Sequence, residues 1–339
     1  MKPFDALTRR SQARRLRALA LNALAQYDLD LRDLRLLGVY TNFLYRVRTT
    51  DGATYVLRVC TPGWRTETDL RSEAMWLQAL HRDTDLGAPV PVAARSGEFV
   101  IEATAPTVPG VRRSLLMSWL PGPLLAADLS EANLCAMGAL FARLHAHGAR
   151  WTPPQGFTQR RMDREYARDE EDVLFSCQEG FTPHTREVME RAWGMVDGAF
   201  RRLYGAPADG RGAPGLQVIH NDLHHENIKR SRGRLRPFDF EDTIWGYPVQ
   251  DIAMAMQDLM LDVAPQAYDP LLDAFRQGYE AHAAWPEGYE GQIDAFRVGR
   301  LFWVANYVAR YQRPYLRQHV DWTARMVEGF LETGRLRKA

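Results

Sequence analysis

Four residues have types and spacing that could do chemistry: His220, Asp222, Asn227 and Asp239. They lie within Val218 to Asp242, VIHNDLHHENIKRSRGRLRPFDFED. Asn227 follows Asp222 by five residues, and Asp239 follows Asn227 by twelve. A carboxylate at Asp222 can accept the proton of a hydroxyl or hold that hydroxyl in place. Asn227 and Asp239 offer hard oxygen ligands, which suit Mg²⁺, an ion that uses few carboxylates plus substrate phosphates. Phosphoryl transfer asks for this set: an acceptor held in line, neutralised phosphate charge, and little covalent work.

Such residues need a rigid frame. Leu216 to Ile219 is a short apolar run and reads as the strand that delivers the loop. Gly205 to Pro214 marks a flexible turn before it. Thr54 to Val59 alternates and is rich in β-formers, so it reads as a strand carrying Arg58. Residues 66 to 80 read as a helix with Leu70, Ala74, Leu77 and Leu80 on one face. Glu73 lies on that helix, fifteen residues after Arg58. Leu36 to Val47 reads as strand, turn, strand; with Gly38 as its one glycine it is a poor backbone cradle for phosphate. Ala88 to Val92, Glu98 to Ala103 and Arg113 to Trp119 read as further short strands. Residues 5 to 27 have helical spacing, and their arginines, Arg9 to Arg17, read as a solvated face, since no aromatics interleave.

Beyond Gly122 the chain turns helical. Leu134, Met137, Phe141 and Leu144 form one core stripe, with Ser130 as N-cap. The acidic run at residues 163 to 172 reads as a solvated helix face, ahead of an acceptor wall for a cationic compound. Trp303, Tyr307 and Tyr311 recur at every fourth position. Core packing is the first reading and an aromatic acceptor wall the second.

The ordered set resembles the protein-kinase-like phosphotransferases, in the branch of aminoglycoside phosphotransferases, choline kinases, homoserine kinases of the second type and bacterial stress-response kinases. That branch usually reads His-Gly-Asp-x-His-x-x-Asn. Here Asn221 stands in the glycine position and His224 matches the second His. Arg58 occupies the place of the phosphate-binding Lys of Val-Ala-Ile-Lys. The resemblance spans roughly residues 15 to 335. It implies an α+β bilobal fold: a small antiparallel-sheet lobe, residues 1–118, and a larger helical lobe, residues 119–339, with ATP between them.

By the same resemblance Asp222 is the base and His220 orients its loop through the backbone. Asn227 and Asp239 hold Mg²⁺. Arg58, positioned by Glu73, binds the α- and β-phosphates. Asn42 belongs to the phosphate-covering loop. Backbone groups of Met117, Ser118 and Trp119 pair with the adenine edge. Asp251 braces the catalytic loop, and His145 is structural. The acceptor is a hydroxyl, on a small molecule or on a protein Ser or Thr.

Two other classes stay open at this stage. The sparse phosphate loop and Arg58 would also suit a nucleotide-binding pseudo-kinase with a regulatory role. His220, Asp222, His224 and His225 cluster as a metallohydrolase would need, without a partner His or Cys at matching spacing.

Composition narrows the field. The chain has 339 residues, 46% apolar and 25% charged, with a net charge of +1. That balance gives no field to favour nucleic acid or an anionic membrane. The three cysteines, Cys60, Cys135 and Cys177, are scattered, which argues against a disulfide framework and for a reducing compartment. No apolar leader or membrane-length run is present, so a cytoplasmic protein is expected. Of 43 basic residues only Lys2, Lys229 and Lys338 are lysines, so Arg58 follows a bias of the whole chain.

Overall fold

The computed structural model describes residues 2–158, 160–164, 166, 170–205 and 215–338. Glu165 and Asp169 of the acidic run, and the turn expected over 205–214 apart from Gly205, lie outside the described residues. The chain divides into two compact units. One comprises Met1–Gly122, Thr152–Thr158 and Arg236–Glu241, and the other Pro123–Trp151, Gln159–Leu235 and Asp242–Ala339.

In the first unit α1 (Arg9–Leu24) precedes β1 (Leu31–Val39), β2 (Phe43–Thr49) and β3 (Thr54–Val59). Then come α2 (Glu67–Asp83), β4 (Val100–Ala105) and β5 (Val108–Ser118). The five strands form one antiparallel sheet in the order β1-β2-β3-β5-β4. Strand side chains alternate between faces, and here each face has its own helix. Leu57, Val59, Ile101 and Leu116 pack with Leu16, Leu19 and Ala20 of α1. Val100 and Leu115, their neighbours in sequence, pack with Leu70 and Ala74 of α2. Arg58 sits between Leu57 and Val59, so alternation turns it to the α2 side. α2 starts at a capping box between Thr66 and Asp69.

Residues 88 to 92 do not form a strand. The segment runs beside β5, with Val92 N–H donating to Leu116 O (2.8 Å) and Ser118 N–H to Val90 O (2.8 Å). Pro89 and Pro91 lack the N–H groups a ladder needs, and only a single bridge, Pro91 to Met117, forms.

The second unit is mostly helical. It holds α3 (Glu131–Arg150), α4 (Pro183–Tyr204), α5 (Pro248–Asp262), α6 (Pro265–Glu280), α7 (Gln292–Tyr311) and α8 (Leu316–Thr333). Between α4 and α5 come the short strands β6 (Gln217–Ile219), β7 (Ile228–Ser231), β8 (Arg234–Pro237) and β9 (Ile244–Gly246). β6 pairs antiparallel with β9. The predicted stripe of α3 is core: Leu134, Met137, Phe141 and Leu144 are fully buried. Ser130 is the N-cap residue of α3 by position, but its side chain makes no cap hydrogen bond.

Two sequence readings give way here. The described part of the acidic run is not helical. Its Glu170 accepts from Trp303 Nε1 (3.1 Å), and the Glu171 carbonyl accepts from Asn306 Nδ2 (3.0 Å). The aromatic stripe of α7 is not core either. Tyr311 is 60% exposed and lies tilted against Tyr307, which stacks on Trp303. Periodicity marks a common face but does not say what covers it. No helix among the described residues is long and apolar enough to cross a membrane.

Candidate active site

The sequence-predicted residues fall into two groups, one in each unit. In the first, Arg58 is buried and grips Glu73 with both guanidinium ends. Nη1 lies 3.1 Å from Oε1, and Nη2 pairs with Oε2. A planar fork matches a carboxylate in this way, which a lysine could not. Burial opposes the charge on Arg58, but Glu73 and Glu241 outweigh it and hold the guanidinium protonated.

Arg58 reaches further. Nη1 is also 3.4 Å from Glu241 Oε2 and 3.7 Å from Asp239 Oδ1. Glu241 is a hub that sequence reasoning missed. It is buried, and it accepts from Asn42 Nδ2 (2.6 Å), Thr41 Oγ1 (3.2 Å) and Trp64 Nε1 (3.2 Å). Asn42 Oδ1 in turn accepts from Thr61 N–H (3.0 Å). Asn42 is thus buried and ties the β1–β2 turn to Glu241. Arg9 of α1 clamps the same turn by donating to Tyr40 O (2.6 Å) and lying over the Phe43 ring. Side chains hold in place a turn that has only Gly38 to shape it.

Near the end of β5 two backbone donors are already engaged. Ser118 N–H goes to Val90 O, and Trp119 N–H to Thr54 O (3.1 Å). A nucleobase paired alongside Met117 and Trp119 has to use backbone groups other than those two.

The second group is the loop after β6. His220 is fully buried, and its Nδ1 accepts from Asp222 N–H (3.2 Å). Asn221 has φ +65°. That left-handed conformation favours glycine, and Asn is among the few other residues that tolerate it. Asp251, at the start of α5, is fully buried and braces the turn. Its Oδ1 accepts from Asn221 N–H (2.7 Å) and its Oδ2 from His220 N–H (3.2 Å). His145 Nε2 lies 3.2 Å from the same Oδ2, and His145 Nδ1 lies 3.0 Å from Tyr279 Oη. This makes His145 structural, as its sequence context suggested.

Replacing Asp251 by Ala strands two buried N–H groups and a histidine, each omission worth about 1–3 kcal/mol. A loss of roughly 3–5 kcal/mol in urea denaturation is expected. A loss under about 1 kcal/mol would remove Asp251 from the bracing role.

Asp222 is held at both oxygens. Asn227 Nδ2 donates to its Oδ2 (3.1 Å) and to its carbonyl (2.8 Å), and Arg300 Nη2 lies 3.4 Å from Oδ1. The same contacts turn Asn227 Oδ1, an oxygen suited to a hard cation, away from Asp222. The Asp239 carboxylate is 41% exposed. Arg58 faces three carboxylates, Glu73, Glu241 and Asp239, so negative charge is in excess there. The partly exposed Asp239 carboxylate suits a Mg²⁺ that takes most of its ligands from phosphates and water.

The hydrolase arrangement does not form. His224 Nδ1 accepts from Glu226 N–H, His225 Nε2 pairs with Asp262 (2.8 Å), and His220 serves Asp222. Burial lowers the pKa of His224 and keeps it neutral. Among the described residues no trio of His, Cys, Asp or Glu is placed to hold a metal ion.

Comparison with known proteins bears on the family and the fold. An uncharacterized protein of Synechocystis sp. is 25% identical over 286 residues, covering 83% of this chain and 74% of that protein. The structure of a microcompartment-associated aminopropanol kinase superposes with a TM-score of 0.74 at 22% identity, over 94% of this chain and 99% of that one. An amicoumacin kinase in complex with AMP-PNP and Ca²⁺ gives 0.75 at 17% identity, over 94% and 96%. Both share the fold. The profile of the APH phosphotransferase enzyme family matches residues 33–285, three-quarters of the chain, and the chain belongs to that family.

Proposed function

We propose that this chain transfers the γ-phosphoryl group of ATP to a hydroxyl acceptor, with Mg²⁺. The observation that carries the reading is the placement of Arg58: buried, forked on Glu73, and directed at Asp239. An arginine so fixed is a clamp for phosphate oxygens. Its neighbouring carboxylate is left to face a cation.

The acceptor oxygen forms a bond to the γ-phosphorus as the bond from phosphorus to the ADP oxygen breaks. Asp222 takes the hydroxyl proton. Asn227 holds that carboxylate in one rotamer, and His220 fixes the backbone beneath it. When bound, Mg²⁺ neutralises phosphate charge, held by Asn227 and Asp239. The amicoumacin kinase complex with AMP-PNP and Ca²⁺ supports nucleotide and divalent-cation use on this fold. Small-molecule alcohols are the preferred acceptor class, in line with the names of both kinases above. The compartment we assign is the cytoplasm, where ATP is abundant and the three free cysteines stay reduced.

Calorimetric titration of ATP, with and without Mg²⁺, tests the reading. Binding should require Mg²⁺, and Asp239→Asn should weaken it by about 10–100-fold. An ADP-release screen over small alcohols then finds the acceptor. Absence of ATP and GTP binding under every condition would sink the proposal. Tight binding without turnover on any acceptor would favour the regulatory nucleotide-binder instead.

A further inference from the structure

We propose that Arg300 selects the acceptor, and that the alcohol this chain takes carries a carboxylate close to its hydroxyl. The proposal rests on the phosphotransferase reading above and adds the charge class of the substrate.

A small cavity of about 30 Å³ opens in the second unit, beside the catalytic loop. Its walls include the apolar Met162, Phe200, Met254 and Phe296, the amides of Asn221 and Gln250, and Arg300. Among the described residues of that lining Arg300 is the one charged side chain. The volume admits about two water-sized groups, the scale of a carboxylate rather than of a sugar ring. Asn221 adjoins Asp222 in the chain, so a head group seated here places the rest of a short molecule near the proposed base.

The charge in the cavity is carried by Arg300. Gln250 is already committed. Its Oε1 accepts from Tyr204 Oη (2.6 Å) and Tyr247 N–H (3.0 Å), and its Nε2 donates to Met162 O (2.8 Å). Arg300 is not saturated. Its contact with Asp222 Oδ1, at 3.4 Å, is long for a charge-assisted hydrogen bond. Its Nε is buried and has no partner among the described residues. The guanidinium lies 4.2 Å over the Trp303 ring, which holds its plane while leaving its edge to hydrogen-bond. A held, planar, unsaturated fork suits a carboxylate, which it can grip through two parallel hydrogen bonds. An ammonium group at the same point would face a like charge in an apolar surround.

Calorimetry on the nucleotide-free full chain tests this with 3-hydroxypropanoate and 4-hydroxybutanoate against 3-aminopropan-1-ol and 4-aminobutan-1-ol. These pairs match in length and differ in charge. The hydroxy acids should bind about tenfold or more tighter than the amino alcohols. Arg300→Gln should erase the preference, and Arg300→Lys should keep part of it. A melting scan establishes that each variant is folded. Should Arg300→Gln fail to fold, the wild-type preference and its reduction in Arg300→Lys decide the matter.

Tighter binding of the amino alcohols would overturn the proposal. So would no saturable binding of either hydroxy acid, or a preference that survives in Arg300→Gln. If the preference holds but ATP and Mg²⁺ give no ADP with any alcohol, the anion site stands and the phosphotransferase reading falls.

Discussion

Asp222→Asn is expected to lower kcat by about 10²–10⁴-fold, the range a positioned general base contributes. ATP affinity should change little. The substitution keeps size and shape but removes the proton acceptor and the charge opposite Arg300. Asparagine can still accept from Asn227 or from Arg300 through its one oxygen, so the loop retains most of its support. The fold should therefore survive: Asp222 is partly exposed, and the bracing bonds of the loop run through Asp251 and His220. Single-turnover assays with saturating ATP and Mg²⁺ would separate the chemical step from product release. Turnover within about tenfold of wild type would take the base role from Asp222. A matching loss of ATP affinity would give Asp222 an electrostatic part in nucleotide binding instead.

How much of this site was legible in the sequence depends on what fixes each residue. Arg58 and Glu73 were paired through the resemblance, and the pairing is physically simple because a strand and the next helix are local units, with alternation along β3 sending Arg58 to the helix side. His220, Asp222 and Asn227 could be grouped because one turn holds them within eight residues. Asp251 was given a bracing role only through the resemblance to a known family. Glu241 could not be read as a hub. Its partners, Asn42, Thr41 and Trp64, lie about two hundred residues away, and no local pattern marks a glutamate that will be buried.

Arg300 could not be tied to Asp222 from sequence. Its contact with Asp222 comes from helix packing across seventy-eight residues. The failures have local causes. Two prolines denied residues 88 to 92 a ladder, and the aromatic face of α7 has the period of a core stripe without being covered.

The largest stability effect is expected from a methyl group. α3 and α6 pack backbone to backbone, and two glycines permit it. A Cβ at Gly278 would lie 1.8 Å from Cys135 O, and one at Gly138 would lie 1.9 Å from Phe275 O. Both obstacles are helix carbonyls, which cannot swing aside as a side chain can. Relief requires the helices to part, and that opens a core containing Met137, Phe141, Phe275 and Tyr279. Overpacking normally costs about 1–3 kcal/mol, and a clash against backbone belongs at or above the top of that range.

Gly278→Ala and Gly138→Ala should each lose roughly 3–5 kcal/mol in urea denaturation. The damage should reach the site, because Tyr279 holds His145, His145 holds Asp251, and Asp251 holds the catalytic loop. The same substitution in α4 supplies the control. At Gly194 and Gly198 a Cβ meets nothing within 4 Å. Replacing a helical glycine there should stabilise by about 0.5–1 kcal/mol, through the helix preference of alanine and the reduced freedom of the unfolded chain. Opposite signs for one chemical change in two helices would tie the effect to the α3–α6 approach. A Gly278→Ala protein as stable as wild type would mean that the two helices lie further apart.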